Sequence, residues 1–155
     1  MQTLHSPTQA AEWLRQHVTG VLCTDSRAIQ KGDGFIAWPG MATDGRAYVA
    51  SAFEQGATAC LVEAEDCLQW QSAWQAAANK VPTQVAAYTG LKADTGWIAD
   101  AYYEQPSQAL KVLAVTGTNG KTSATWWLAQ ALNAMKLSAE GEALAPRCAI
   151  VGTLG

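Results

Sequence analysis

The sequence predicts an α/β protein in two parts, a small N-terminal α/β domain followed by the start of a parallel-sheet domain. Three observations carry that expectation. Short apolar runs alternate with longer stretches of helical spacing along nearly the whole chain. Glycine and proline punctuate the junctions. Hydrophobic residues make up 49% of the 155 positions and charged residues 15%, a globular composition with enough apolar material for a core. The motif content changes near Pro106-Ser107. The expected organisation is a first domain over 1–90, a connecting helix over 91–106, and an incomplete second domain over 107–155.

Ser6-Pro7-Thr8-Gln9 opens the first helix: Ser6 can cap, Pro7 suits the first helical position and Gln9 can close a capping box. Ala10, Leu14 and Val18 follow at four-residue spacing on one face, and Trp13 and His17 of the same helix read as packing or surface residues. Thr24-Asp25-Ser26-Arg27 is a polar patch after Val21-Leu22-Cys23, and Lys31-Gly32-Asp33-Gly34 is a turn signal. Phe35 to Trp38 is a short buried strand, ended by Pro39-Gly40. A loop runs from Met41 to Arg46. Tyr48 to Gln55 is helical with Gly56 as its stop. Thr58 to Glu63 is a strand. Glu65 to Lys80 has Trp70 and Trp74 four apart, as on one helix face. Thr83 to Tyr88 is a strand, and Leu91 to Glu104 a helix ended by Pro106. Lys111 to Thr116 is a buried strand, Lys121 to Met135 a helix, Ser138 to Pro146 a loop, and Ala149-Ile150-Val151 the start of another strand.

The formal net charge of −3 excludes the basic footprint of a nucleic-acid-binding protein. Cys23, Cys60, Cys67 and Cys148 form no C-x-x-C pair, and with two histidines they assemble no zinc set at usual spacing. They read as free thiols in a reducing compartment. No basic-then-apolar leader and no membrane-length apolar stretch is present, so the expected location is cytoplasmic.

The chemistry concentrates in Val112 to Ser123, where an apolar strand enters a glycine-containing turn that opens a helix. That is the context of a phosphate loop. Gly117 and Gly120 let backbone N–H groups converge on an anion, and the helix N-terminus adds its positive end. Thr118 and Asn119 complete the turn. Lys121 supplies a cation for the outer phosphates, Thr122 a hydroxyl for Mg²⁺, and Ser123 follows it. The expected ligands are ATP and, through it, magnesium. Position 115, where the general pattern carries glycine, is valine. Trp126-Trp127 in the same helix read either as packing against the sheet or as a stacking surface for a base.

Thr116-Gly117-Thr118-Asn119-Gly120-Lys121-Thr122 resembles the ATP loop of the Mur ligase family, shortened glycine spacing included. Thr24-Asp25-Ser26-Arg27, Gly32-Asp33, Phe35-Ile36-Ala37, Gly40 and Asp44-Gly45-Arg46 follow in the order seen in members that add a diamino acid. Pro106-Ser107 before the loop strand and Val151-Gly152-Thr153-Leu154-Gly155 after the helix fit as well. The resemblance runs from about residue 20 to the end. It implies an ATP- and Mg²⁺-dependent ligase of peptidoglycan synthesis. Such an enzyme activates the terminal carboxylate of UDP-N-acetylmuramoyl-L-alanyl-D-glutamate as an acyl phosphate, and the amine of a diamino acid, meso-diaminopimelate by default, attacks it.

By the same resemblance Thr24 and Ser26 fall where the family contacts the uridine diphosphate, and Met41, Ala42 and Thr43 fall on a second contact loop. Met41 stands where relatives often carry histidine. Ser26 can serve uracil or phosphate, or make a local turn bond beside Asp25. Arg27 can meet a phosphate or pair with an acidic neighbour. Family members are several times longer, so the expectation is an N-terminal fragment with no catalytic residue of its own and no ligase activity alone. A stand-alone nucleotide- or UDP-sugar-binding module and the related D-Ala-D-Ala-adding ligase share part of this pattern. A folate polyglutamate ligase lacks a UDP-sugar domain of this kind.

Overall fold

The computed structural model describes residues 1–78, 84–134, 137–139, 142–144 and 148–152. It divides into two compact units, Met1–Leu110 and Lys111–Gly155. Among the described residues no helix is long and apolar enough to cross a membrane.

The first unit is a three-layer α/β/α sandwich. Its strands are β1 (Gln2–Leu4), β2 (Leu22–Cys23), β3 (Gly34–Ala37), β4 (Ala59–Glu63) and β5 (Gln84–Tyr88). They pair in parallel in the order β1-β5-β4-β3-β2, so the chain crosses from one edge to the other through α1 (Pro7–His17) and then works back. The pleat sorts side chains by alternation. Ala59 and Leu61 of β4, Ile36 of β3 and Ala86 of β5 face one cluster, joined by Ala10, Leu14 and Val18 from the α1 end and by Leu91 and Ile98 of α4 (Leu91–Tyr102). Cys60, Val62, Phe35, Ala37 and Ala87 face the other, under Val49, Ala52 and Phe53 of α2 (Val49–Gln55) and Trp74 of α3 (Gln71–Ala78). The four-residue spacing Ala10–Leu14–Val18 thus marks the buried stripe.

The helix signals resolve in detail. The Ser6 hydroxyl accepts from the Gln9 N–H at 3.2 Å. The Gln9 amide oxygen reaches back one residue further than a capping box requires and accepts from the His5 N–H at 2.8 Å. Gly56 ends α2 at φ 111°, where an added Cβ would lie 2.8 Å from the Lys31 Cα. Trp70 closes a 3₁₀ turn (Cys67–Trp70) and Trp74 lies one turn further in α3, both packed on the same cluster. Thr83, Lys80 and Met135, expected at the ends of elements, lie outside the described residues. Strand β1 was not expected, because three residues are too few to show a period.

The division falls at Leu110, later than the sequence suggests. The helix expected as a connector, α4, is a wall of the first unit: Leu91 and Ile98 are fully buried, and Arg15 of α1 donates to the Ala101 carbonyl at its end at 2.7 Å.

The second unit contains α5 (Lys121–Ala134) and an antiparallel pair, β6 (Leu137–Ala139) with β7 (Glu142–Leu144). Three expectations change here. Residues 111–116 form no strand, and Val112 and Leu113 are 81% and 61% exposed. A strand exists only as part of a ladder, and no described strand pairs with this segment. For the same reason Ala149-Ile150-Val151 forms none. The expected loop 138–146 instead contains β7 and the last two residues of β6, since backbone pairing is open to small and acidic side chains. Residues 145–147 and 153–155 lie outside the described residues.

Candidate functional site

Parallel strands send all their carboxyl ends to one edge of the sheet, and that edge is where such sheets bind ligands. Thr24 and Ser26 follow β2, and Met41, Ala42 and Thr43 follow β3, its neighbour. The topology therefore sends both sequence-predicted loops to the same edge from adjacent strands. Thr24, Met41, Ala42 and Thr43 are exposed, and Ser26 is half-buried. Among the described residues the hydroxyls of Thr24, Ser26 and Thr43 have no side-chain hydrogen-bond partner. The Ser26 turn bond is absent there because the Asp25 carboxylate makes it instead, accepting from the Arg27 N–H at 3.0 Å.

Each loop is closed by the same device, an Asp-x-Arg clasp. Asp25 caps a 3₁₀ turn (Ser26–Ala28) and takes the Arg27 guanidinium through Nε at 2.9 Å and Nη2 at 2.6 Å. Asp44 caps another (Gly45–Tyr48) and takes Arg46 through Nε at 3.0 Å and Nη2 at 2.7 Å. The surroundings differ. The Arg27 side chain is 89% exposed, whereas that of Arg46 is 5% exposed. The guanidinium hydrogen bonds hold both carboxyls below the ordinary range, Asp25 at about 2. Arg27 thus pairs with its acidic neighbour and still presents its charge to solvent.

Two buried carboxylates brace the scaffold. Asp33 accepts from the N–H of Val21 at 2.9 Å and of Gln30 at 2.8 Å, which ties the β2 loop to β3. Glu63, at the end of β4, accepts from the N–H of Ala64 at 3.0 Å, Gly90 at 3.1 Å and Leu91 at 2.8 Å, and so caps α4 from a distant strand. Sequence reading missed Glu63 and the burial of Arg46. A cap supplied from 27 positions away leaves no local spacing to read.

The glycine-containing loop precedes α5. Gly117 and Gly120 have φ of 143° and 76°, a region that favours glycine, and the first helical bond runs from the Ala124 N–H to the Gly120 carbonyl at 2.9 Å. The Lys121 ammonium folds back over the turn and donates to the carbonyls of Gly117 and Thr118. Thr118, Asn119, Thr122 and Ser123 are exposed, and among the described residues the Thr122 hydroxyl has no partner. A cation held on the loop, glycines in the required conformation and an open hydroxyl fit a nucleotide polyphosphate with its magnesium. Trp126 and Trp127 are 48% and 71% exposed. Among the described residues no three His, Cys, Asp or Glu side chains gather as a metal site, and the four cysteines are free.

The profile of the Mur ligase family, catalytic domain, matches residues 17–94. The UDP-N-acetylmuramoyl-L-alanyl-D-glutamate–2,6-diaminopimelate ligase of Acidovorax sp. (strain JS42) is 55% identical over 158 aligned positions, covering 100% of this chain and 30% of that protein. The ligases of the same name from Janthinobacterium sp. (strain Marseille) and Coxiella burnetii are each 40% identical, over 93% and 86% of this chain and 25% and 24% of theirs. The chain thus spans 24–30% of the length of these relatives. The profile match covers half of the sequence and lies within the sheet unit, and the Acidovorax match extends through the glycine-containing loop. This chain belongs to the Mur ligase family.

Proposed function

We propose that the chain serves an ATP-dependent ligase that joins a diamino acid to UDP-N-acetylmuramoyl-L-alanyl-D-glutamate in peptidoglycan synthesis. The observation that carries this reading is the match of both units, end to end, to the diaminopimelate ligase of Acidovorax. The shared name of the other relatives favours a diamino acid, meso-diaminopimelate, over D-Ala-D-Ala as the group added. The first unit binds the nucleotide sugar at the carboxyl edge of its sheet. Thr24 and Ser26 present hydroxyls to the uridine diphosphate, and Met41, Ala42 and Thr43 meet it from the second loop. The full exposure of Met41 supports a contact that does not depend on a histidine at that position.

In the second unit Gly117, Thr118, Asn119, Gly120, Lys121, Thr122 and Ser123 hold the phosphates of ATP, with Thr122 toward magnesium. ATP, when bound, supplies the phosphoryl group that makes the dipeptide carboxylate reactive toward an amine. Lys121 keeps its charge on the loop through the Gly117 and Thr118 carbonyls, so the cation is in place before the nucleotide arrives. The work takes place in the cytoplasm, where both nucleotides are made.

The test is Lys121→Ala in a chimaera in which this chain replaces the matching part of the Acidovorax ligase. Turnover falls by about a hundredfold or more, the scale of removing one preorganised charge-stabilising donor. The circular dichroism spectrum and melting temperature stay the same, because the side chain is exposed and touches only loop carbonyls. Unchanged turnover contradicts the assignment of the loop.

A further inference from the structure

Arg46 is a buried cation, at 4% exposure. All three of its guanidinium nitrogens donate within the fold. Nε and Nη2 donate to Asp44, and Nη1 donates to the carbonyls of Glu63, at 3.3 Å, and Glu65, beyond the end of β4. Its own carbonyl accepts from the buried Trp74 indole N–H at 3.2 Å. A guanidinium so placed has no face left for a ligand. It does hold a loop. Asp44 is one side of the neck of the segment Pro39–Asp44, which is closed by a bridge between Pro39 and Asp44, by the Gly40 N–H on the Thr43 carbonyl at 2.9 Å, and by the Gly45 N–H on the Trp38 carbonyl at 3.0 Å. Met41, Ala42 and Thr43 form the tip. The matching clasp at Asp25-Ser26-Arg27 shows no such second attachment among the described residues, where Arg27 reaches Asp25 alone.

We propose that Arg46 is a positioning residue. It rivets the neck of the 39–44 loop to the end of β4 and thereby sets where the loop tip meets the nucleotide sugar. The inference rests on the proposed binding of the uridine diphosphate group at this edge. It accounts for a buried arginine at a place where the surface clasp would suffice to cap the turn. A planar fork is required, because one ammonium cannot meet the Asp44 carboxylate and both strand-end carbonyls in the same geometry.

The test combines amide hydrogen exchange with calorimetric titration of uridine diphosphate, on the unaltered chain and on Arg46→Lys, Asp44→Asn and Ser26→Ala. In Arg46→Lys, exchange at Gly40 and Gly45 accelerates at least about tenfold beyond any change at Leu61 and Val62 of the central strand. That factor corresponds to the loss of about 1.4 kcal/mol of local closure. Asp44→Asn behaves alike and keeps the protein testable should the lysine variant fail to fold. Both variants weaken uridine diphosphate binding about tenfold. A role confined to overall stability instead moves Leu61 and Val62 as much as Gly40 and Gly45, and overturns the inference. So does unchanged exchange at the loop, even where uridine diphosphate binds the unaltered chain and Ser26→Ala weakens it. Failure of the unaltered chain to bind uridine diphosphate overturns the proposed function itself, and the inference falls with it.

Discussion

Asp33, Arg46 and Glu63 are buried, and each has its charge answered by backbone groups or a paired side chain. Burying an unanswered charge costs several kcal/mol, so these partners are conditions of the fold. Gly20 shows how close the fit is: a Cβ there would stand 2.2 Å from the Asp33 carboxylate. Tyr88 belongs to the same class of residue. The residue is 2% exposed, and its hydroxyl donates to the Asp94 carboxylate at 2.6 Å. Burial, then the hydrogen bond and negative charge of Asp94, push it up to about 12. The folded value lies above the unfolded value of about 10, so the fold favours the neutral phenol. Its contribution is whole below pH about 10 and is lost as pH rises through 12. Burial raises Tyr102 as well. Alkaline titration followed by tyrosinate absorbance therefore shows a late component from both residues, and Tyr88→Phe reduces its amplitude.

At the scale of elements, the parallel sheet works because distant groups finish the ends of its helices. Helix α4 has no side-chain cap of its own; Gly90 precedes it in a left-handed conformation and Glu63 serves as the cap across the sheet. Replacing Glu63 by alanine strands the N–H groups of Gly90 and Leu91, and urea denaturation should show a loss of about 2–4 kcal/mol. Glu63→Gln, which keeps one accepting oxygen, loses less. Elements with local signatures were legible in the sequence: α1 from its Ser6-Pro7 start and four-residue stripe, α2 from Gly56, β4 from its apolar run. What sequence could not show depends on partners. Residues 111–116 have the composition of a central strand but no described neighbour to pair with, whereas the small and acidic residues of β6 and β7 pair with each other. Both loops of the candidate site were legible as motifs. That they leave one edge from adjacent strands is a property of the order β1-β5-β4-β3-β2, which no short stretch of sequence encodes.

For the whole molecule, the two units differ in how much of their chemistry is self-contained. The first has a core on both faces of its sheet and an edge furnished with hydroxyls that have no partner among the described residues. The second carries its glycine-containing loop before a helix of which Ala129 is the buried residue, beside an exposed apolar segment. That contrast fits a chain spanning 30% of the Acidovorax ligase, and it places the most direct test in the first unit. The measurement is amide chemical-shift mapping of this chain as UDP-N-acetylmuramoyl-L-alanyl-D-glutamate is titrated in. The account predicts saturable shifts at Thr24 and Ser26 and at Met41, Ala42 and Thr43, with residues 117–123 unmoved. Saturation without shifts in those two loops, or no binding at millimolar ligand, would contradict it.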